Sequence, residues 1–320
     1  MSKKSRSRPA AAPTSAAPGA PAARQPCPCG SGRRYKSCHG RAGGAPAAYV
    51  ARTFRGLPGE TDWVAMREVV PAASAPVGLA AGVADGRVVT VCSLLPGALP
   101  ALVRADGEIW LGLQVHHNHG NVSRDLAYAL ELALAAEPGT QVSVVDPPPS
   151  GPSLQDVVAA DGAFPVTVHD DFGYWIAGVD DPDGTLAAAV QAANDAVAPT
   201  VRLTSVESAY WNRMGEREYV RWVLPHDEDQ VLDAFARLHA AADDRVRLSA
   251  DEGRLIGMFR AHGLLAPVWE VPGGTGAEPL DGPFAALGER LAAALASSGP
   301  LSPTERSARS GLANRQLTLR

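Results

Sequence analysis

The chain of 320 residues is poor in lysine, which it carries only at Lys3, Lys4 and Lys36. A phosphate-binding loop needs its lysine, and pyridoxal or Schiff-base chemistry needs a lysine amine. The sequence also contains neither G-x-x-x-x-G-K-[ST] nor G-x-G-x-x-G. These nucleotide-binding and imine chemistries are therefore excluded for residues 37–320.

Long apolar runs are absent and cysteines are few. No run of about 18 apolar residues offers a membrane span. The basic N-terminus is followed by an Ala/Pro tract without the apolar core of a signal peptide. Three of the four cysteines lie within twelve residues, a spacing typical of metal ligation rather than of a disulfide framework. We therefore expect a cytoplasmic protein without a membrane span.

The first 59 residues contain no acidic residue. They hold 11 of the 29 basic residues, so the rest of the chain has 18 basic residues against all 34 acidic ones. An anionic partner should therefore meet the N-terminal end, and RNA or ribosome binding through this segment is one hypothesis. A solubilising arm is the other interpretation of the same charges.

Composition and patterning divide the chain into segments. A hydrophobic share of 46% with 20% charged residues is typical of a folded protein. Residues 1–24 are rich in Ala, Pro, Ser and Arg without apolar periodicity, which predicts a disordered basic arm. We further predict a metal-binding knuckle at 25–41, a linker at 42–48, α+β lobes at 49–146 and 153–299 that can also be one domain, and a C-terminal tail at 300–320.

The segment after residue 48 mixes strand and helix patterns in irregular order, which predicts the α+β class. Asp106-Gly107 indicates a hairpin turn, Ser123 is the predicted N-cap of a helix, and the Pro-rich stretch 147–152 suggests a boundary between lobes. Two further helices are predicted at 227–241 and 283–296. Strands are predicted at 88–95, 101–104, 108–115, 141–145, 164–168, 173–177, 218–224 and 265–271.

The strongest chemical signal is a cluster of metal ligands near the N-terminus, formed by Cys27, Cys29, Cys38 and His39. Four ligands close one tetrahedral site, and Zn²⁺ accepts sulfur and nitrogen at about 2.3 and 2.0 Å without redox chemistry. Gly30 and Gly32 permit the tight backbone that such a loop requires. The residues therefore predict one structural zinc ion with no free coordination position.

The stretch Cys-Pro-Cys-Gly-Ser-Gly-Arg-Arg-Tyr-Lys-Ser-Cys-His-Gly, from Cys27 to Gly40, resembles the SEC-C motif, which also ends the translocation motor SecA. The resemblance implies zinc binding and docking on protein partners, including a chaperone and the ribosome, through basic side chains around the metal. It covers residues 25–40 only, and nothing of the SecA motor is present. The positions that match the docking residues are Arg33, Arg34, Tyr35 and Lys36.

The remaining chain resembles an uncharacterised actinobacterial family that joins a SEC-C motif to a globular region. The resemblance lies in Gly-Leu-Pro-Gly-Glu-Thr-Asp-Trp at 56–63, in Ser-Arg-Asp-Leu-Ala at 123–127 and in Arg-Gln-Leu-Thr-Leu-Arg at 315–320. It implies a domain layout and no known activity.

Several other residues have both a functional and a structural interpretation. His-x-His spacing can direct two imidazoles to one metal, so a second metal site competes with a solvated loop at His116, His117 and His119. Cys92 lies in an apolar run, where a thiol behaves as a small hydrophobe rather than a nucleophile. His169 with the two aspartates after it is either acid–base chemistry or a turn, and the turn is simpler.

The sequence thus favours a zinc-knuckle adaptor that docks on a protein or ribosomal partner and carries a body of unknown function. One alternative is an enzyme of unrecognised type with a pocket near His116–Asn121 or His169. The other is binding of RNA or the ribosome through the basic N-terminal segment, which would be sensitive to salt.

Overall fold

A computed structural model of the chain describes residues 50–84, 86–116, 118–144, 146–177, 184–241, 253–314 and 316–318, together with Gln25 and Arg34. The chain forms two compact units, residues 1–48 and residues 49–320. The predicted arm and knuckle lie almost wholly outside the described residues. The second unit, the body, contains both segments that the sequence left open as one domain or two lobes.

The body has the α+β class that its sequence predicts, with seven α-helices and two six-stranded sheets among the described residues. The helices are α1 (Glu60–Glu68), α2 (Val122–Leu134), α3 (Leu154–Val157), α4 (Thr185–Asn194), α5 (Glu228–Ala241), α6 (Asp281–Ala296) and α7 (Pro303–Ala313). The N-terminal sheet contains β1 (Ala73–Pro76), β2 (Val89–Cys92), β3 (Ala101–Val103), β4 (Ile109–Gly112), β5 (Gln141–Val142) and β6 (Thr167–Val168). The C-terminal sheet contains β7 (Thr200–Arg202), β8 (Ala209–Met214), β9 (Arg217–Trp222), β10 (Arg254–Ala261), β11 (Leu264–Val271) and β12 (Gln316–Thr318).

Five strands follow the same order in both sheets, β1 to β5 matching β8 to β12, but the sixth strand and the strand directions differ. The N-terminal sheet has the order β5-β3-β4-β2-β1-β6, and the C-terminal sheet has the order β12-β10-β11-β9-β8-β7. Strand β2 runs parallel to β4, whereas β9 runs antiparallel to β11. The sixth strand is β6, the last of its sheet along the chain, in one case and β7, the first of its sheet, in the other, so the sheets differ in topology.

Helix α1 joins the two sheets into one core. Its Trp63 is fully buried in a cluster that includes Leu111 of the N-terminal sheet and Tyr210 and Leu264 of the C-terminal sheet. The other face of the C-terminal sheet packs against α5, α6 and α7 around the buried Trp269.

None of the helices in the described part of the chain is long and apolar enough to cross a bilayer.

A buried polar network fixes α1 to the C-terminal sheet. Asp62 Oδ1 accepts hydrogen bonds from Ser208 Oγ at 2.6 Å and Tyr210 Oη at 2.8 Å, and Asp62 Oδ2 accepts one from Arg202 Nη2 at 2.8 Å. Ser208 Oγ also lies 2.7 Å from Thr61 Oγ1. Because a hydroxyl has one proton, Ser208 donates to the carboxylate and accepts from Thr61. Among the described residues, the partners of this buried carboxylate thus come from β7, from β8 and from Ser208, which directly precedes β8.

Most predicted strands are confirmed, usually with shorter bounds, but residues 173–177 do not form the predicted strand. They form a 3₁₀ turn, Gly173–Ile176, that begins where Asp171 Oδ1 accepts a hydrogen bond from the Gly173 amide at 2.7 Å. The indole of Trp175 stacks on Phe172 at 4.2 Å and donates to the carbonyl of Leu94 at 3.1 Å. Burying this aromatic pair outweighs the strand preference of the sequence.

Two other local predictions are also wrong. The N-cap of α2 is Asn121, whose Oδ1 accepts from the Arg124 amide, whereas Ser123 Oγ donates to Gln155 across the fold. Residues 300–320 are not a simple tail, because they contain α7 and β12. A capping box between Ser302 and Glu305 starts α7, and β12 pairs in parallel with β10.

The Pro-rich stretch at 147–152 is held against α2 rather than forming a free connection. Arg124 is 6% exposed and donates to the carbonyls of Pro149 and Pro152 at 3.0 and 2.8 Å. A Cβ atom at Gly151 would lie 2.5 Å from the Arg124 guanidinium, so glycine allows this close approach. The predicted boundary at 147–152 thus lies between β5 and α3 and is hydrogen-bonded to α2.

Candidate functional site

The predicted zinc ligands Cys27, Cys29, Cys38 and His39 lie outside the described residues. Of the predicted docking residues, the structure describes Arg34 alone, and it is exposed. The fit of a metal therefore rests on the donor set, in which three thiolates and one imidazole match the tetrahedral preference of Zn²⁺. The same donors are poor ligands for Mg²⁺ or Ca²⁺, which take oxygen.

The three histidines considered for a second metal site have different surroundings. His116 is exposed, and His117 lies outside the described residues. The backbone amide of His119 donates to Asp125 Oδ2 at 2.9 Å, and its Nδ1 lies 3.3 Å from Asp125 Oδ1. His119 thus anchors the loop before α2. Among the described residues, no group of three His, Cys, Asp or Glu side chains is arranged to hold a metal ion.

A large cleft opens on the face of the N-terminal sheet that is turned away from α1 and α2. Its volume is about 1020 Å³, at the upper end of the range of about 300–1,000 Å³ for small-molecule sites. One wall is formed by residues 94–98 and β3, and the other by the 3₁₀ turn and α4. His116, from the predicted pocket region, lies at its border.

Arg104, at the end of β3, links the two walls of the cleft. Its Nη1 and Nη2 donate to the carbonyls of Trp175 and Ala177 at 3.2 and 2.6 Å. Its guanidinium lies 4.2 Å from the ring centroid of Trp110, a cation–π distance. The half-buried guanidinium makes no ion pair within the described part of the chain. Arg104 therefore keeps a full positive charge beside an apolar cavity.

The backbone of residues 95–98 is shaped to form one wall of the cleft. Gly97 has φ 62° and Ala98 has φ 54°, both in the left-handed region. Left-handed backbone costs a non-glycine residue roughly 1–2 kcal/mol. Gly112 on β4 allows this segment to approach the sheet, since a Cβ there would lie 2.4 Å from the Leu99 carbonyl oxygen.

His169 lies behind the cleft rather than in it. Its ring stacks on Tyr174 at 4.1 Å, and its Nε2 lies 2.8 Å from Ser74 Oγ. Partial burial lowers the pKa of His169, although the charges of Asp171 and Asp170 oppose the shift. The imidazole is therefore neutral at pH 7, and its contacts hold Tyr174, whose ring packs against Trp175 of the cleft wall.

Cys92 lies on the same sheet face, fully buried among Ala72, Leu95 and Trp110. Burial raises the pKa of the Cys92 thiol, and the charge of Glu108 raises it further. Thiol reagents attack the thiolate, so a neutral buried thiol is unreactive. These surroundings match the structural interpretation of this cysteine.

We expect Cys92 in the native protein to react with iodoacetamide at pH 7 about 100-fold or more slowly than in the unfolded chain, because reaction requires local opening. Mass spectrometry of the peptide that contains Cys92 measures the labelling time course. The same peptide labelled in guanidinium chloride is the control. Rapid labelling of the native protein would restore the nucleophile hypothesis.

The sequence does not reveal the cleft because its walls are distant along the chain. Residues 94–106 and the side chains of Trp175, Ile176, Val190 and Ala193 are far apart along the chain and line one cleft only in the folded protein. For Arg104, the sequence predicts only that it is the first residue of a hairpin turn. That turn is confirmed, with the Gly107 amide donating to the Arg104 carbonyl at 2.9 Å, but its geometry does not show where the guanidinium lies.

Comparison with known proteins gives two family matches. The model of the SEC-C motif matches residues 24–41, in agreement with the sequence prediction. No curated protein and no solved structure gives a significant match to the chain. The model described as a family of unknown function, DUF5926, matches residues 53–320. Because this match covers most of the chain, the protein belongs to that family of unknown function, and a SEC-C motif precedes its body.

Proposed function

We propose that the protein is a cytoplasmic adaptor in which a zinc knuckle at residues 25–41 docks on a protein or ribosomal partner. The observation that carries the proposal is the SEC-C match at residues 24–41. Four metal-ligating residues frame Arg33, Arg34 and Lys36 within that segment. The body, which carries the excess of acidic residues, then recruits or senses a second component.

Zinc has a structural role in this proposal. Cys27, Cys29, Cys38 and His39 would hold the ion and fill all four tetrahedral positions. A segment of this length buries too little apolar surface to fold alone, and metal binding supplies the missing free energy. The basic side chains between the ligands would then have fixed positions.

We expect the purified protein to contain about one zinc ion per chain. Chelation should leave the body folded, since the body has its own buried core around Trp63 and Trp269 and follows the Gly/Ala/Pro linker at 42–48. Atomic emission gives the metal content, and far-ultraviolet circular dichroism before and after chelation gives the secondary structure. A content near zero or two ions, or loss of body structure on chelation, would refute the proposed site.

The docking role is tested by comparing the full chain with a chain that lacks residues 1–45. The two proteins are immobilised at equal density and exposed to purified ribosomes and to a soluble protein extract. Loss of a saturable partner from the shortened chain supports docking through the N-terminal region. Equal capture by both chains would assign binding to the body and contradict the adaptor proposal.

Two alternatives keep specific support. Eleven basic and no acidic residues in 1–59 favour RNA or ribosomal RNA, whose binding weakens steeply as salt rises because counterions are released. The position of His116 at the cleft favours an enzyme or ligand-binding body. The first alternative predicts capture that is lost after ribonuclease treatment.

A further inference from the structure

The cleft on the N-terminal sheet has an apolar interior. The side chains of Leu94, Leu102, Ile176 and Val190 line it, and Trp175 forms part of one wall. Apolar surface that is left in contact with water in a cavity of this size favours a ligand that removes it from water. The interior therefore fits a molecule with a substantial apolar part.

Arg104 carries the positive charge at the cleft and makes no ion pair within the described part of the chain. Arg104 uses two of its five N–H donors on the carbonyls of Trp175 and Ala177. Both acceptors are neutral, so the guanidinium has donors and charge left for an anion. The nearby Asp106 does not supply that anion, because its Oδ1 accepts from the Glu108 amide at 3.0 Å and it forms no ion pair with Arg104 among the described residues.

Two further polar side chains complete the rim. The side chains of His116 and Gln141 line the cleft, and neither makes a hydrogen bond within the part of the chain that the structure describes. Both can donate to a ligand oxygen. Arg104 is the one permanent cation among the described lining residues, and Asp106 lies beside it. One arginine beside one aspartate suits a ligand group with a single negative charge better than a phosphate dianion.

We propose that this cleft binds an apolar molecule that ends in one carboxylate, with the apolar part between the sheet and α4 and the carboxylate at Arg104. Guanidinium is the side chain best suited to a carboxylate, because its N–H groups match the two oxygens in a plane. Stacking on Trp110 and the two carbonyl contacts hold the guanidinium in place before the ligand arrives. The site is independent of the docking role proposed for the knuckle.

The test uses the full-length protein with cis-parinaric acid, a fluorescent long-chain carboxylate, and with its methyl ester, which has the same apolar part and no charge. We expect saturable binding of the acid, with the ester about tenfold weaker or more, since a hydrogen-bonded charge is lost. Arg104→Met keeps the apolar stem on Trp110 and removes the charge. It should bring the acid-to-ester affinity ratio to about one.

A pair of matched variants locates the probe. Ala193 lines the cleft, whereas the neighbouring Ala192 on α4 is exposed and does not. Ala193→Trp fills the cleft and should weaken both probes about tenfold or more, whereas Ala192→Trp should leave them within about twofold. Thermal unfolding checks that each variant folds, and Ile176→Trp replaces Ala193→Trp if the latter does not.

Three results would overturn the site: no saturable binding of the acid, an acid-to-ester ratio that Arg104→Met leaves unchanged, or equal effects of the two α4 substitutions. Cys29→Ser should bind the acid as the native protein does. That variant separates the two proposals, since loss of partner docking with retained probe binding affects the knuckle alone.

Discussion

Replacing Asp62 with alanine should lower the free energy of unfolding of the body by about 3–5 kcal/mol, the range for removing one partner from a buried charged network. The carboxylate is 6% exposed and accepts from Ser208, Tyr210 and Arg202. Without it, the fully buried Tyr210 hydroxyl and the Arg202 guanidinium lose their acceptor. Leaving these buried donors without an acceptor destabilises the fold more than the loss of the attraction between Asp62 and its partners does.

Asp227→Ala is the matched control, because it also removes a carboxylate that is bonded to an arginine. Asp227 Oδ1 lies 2.8 Å from Arg52 Nη1, but its side chain is 68% exposed. The expected cost is below about 1 kcal/mol, as for other exposed ion pairs. Chemical denaturation monitored by tryptophan fluorescence measures the free energy of unfolding of both variants, since all six tryptophans lie in the body. Similar costs for the two variants would show that the Asp62 network does not hold α1 to the C-terminal sheet.

The importance of Asp62 could not be predicted from the sequence, although it lies in the stretch 56–63 that marks the family resemblance. Its partners are 140 to 148 residues away along the chain. Local patterns report periodicity and capping, and neither depends on contacts at that separation. A buried acidic residue in the first turn of a helix has the same local appearance as an exposed one at that position.

Elements with strong local signals were predicted well. Alternating apolar residues identified β9 and β11, and one apolar face identified α5 and α6, with bounds that differ by at most two residues. Strands β5 and β6 lie within the predicted strands at 141–145 and 164–168 but contain only two residues each, so their bounds were predicted too long. Helix α7 has only one buried residue, Leu312, so periodicity misses it, but Ser302-Pro-Thr-Glu305 is a readable capping box that marks its start.

The candidate cleft was predicted only at one border. His116 was singled out for its neighbouring histidines, and the structure places it on the cleft for a different reason, as part of the segment that follows β4. Arg104, Trp175 and α4 supply the features that define the site. Arg104 was interpreted as a turn residue and Trp175 as part of a strand, and no element was predicted at α4. The sequence could not bring them together, because their proximity is a property of the folded sheet.

Cys29→Ser should abolish binding of the partner captured by the N-terminal region, with no loss of body structure. Three remaining ligands hold zinc more weakly than four, and a segment that depends on metal for its folding loses its surface with the metal. Arg33→Ala, Arg34→Ala and Lys36→Ala combined should keep about one zinc ion per chain, weaken binding about tenfold or more, and reduce its dependence on salt. Zinc content, affinity at several salt concentrations and circular dichroism are measured for each protein.

The two variants separate the shape of the knuckle from its charge. If zinc only orders the loop and the basic residues make the contacts, both variants lose affinity, but only the triple variant retains zinc. Deleting residues 1–24 is the control, since that segment holds five other basic residues, Lys3, Lys4, Arg6, Arg8 and Arg24. Should that deletion remove binding while the triple variant keeps its affinity and salt dependence, the N-terminal arm is the binding element. In that case the charge of residues 1–24, and not the metal-ordered surface, selects the partner.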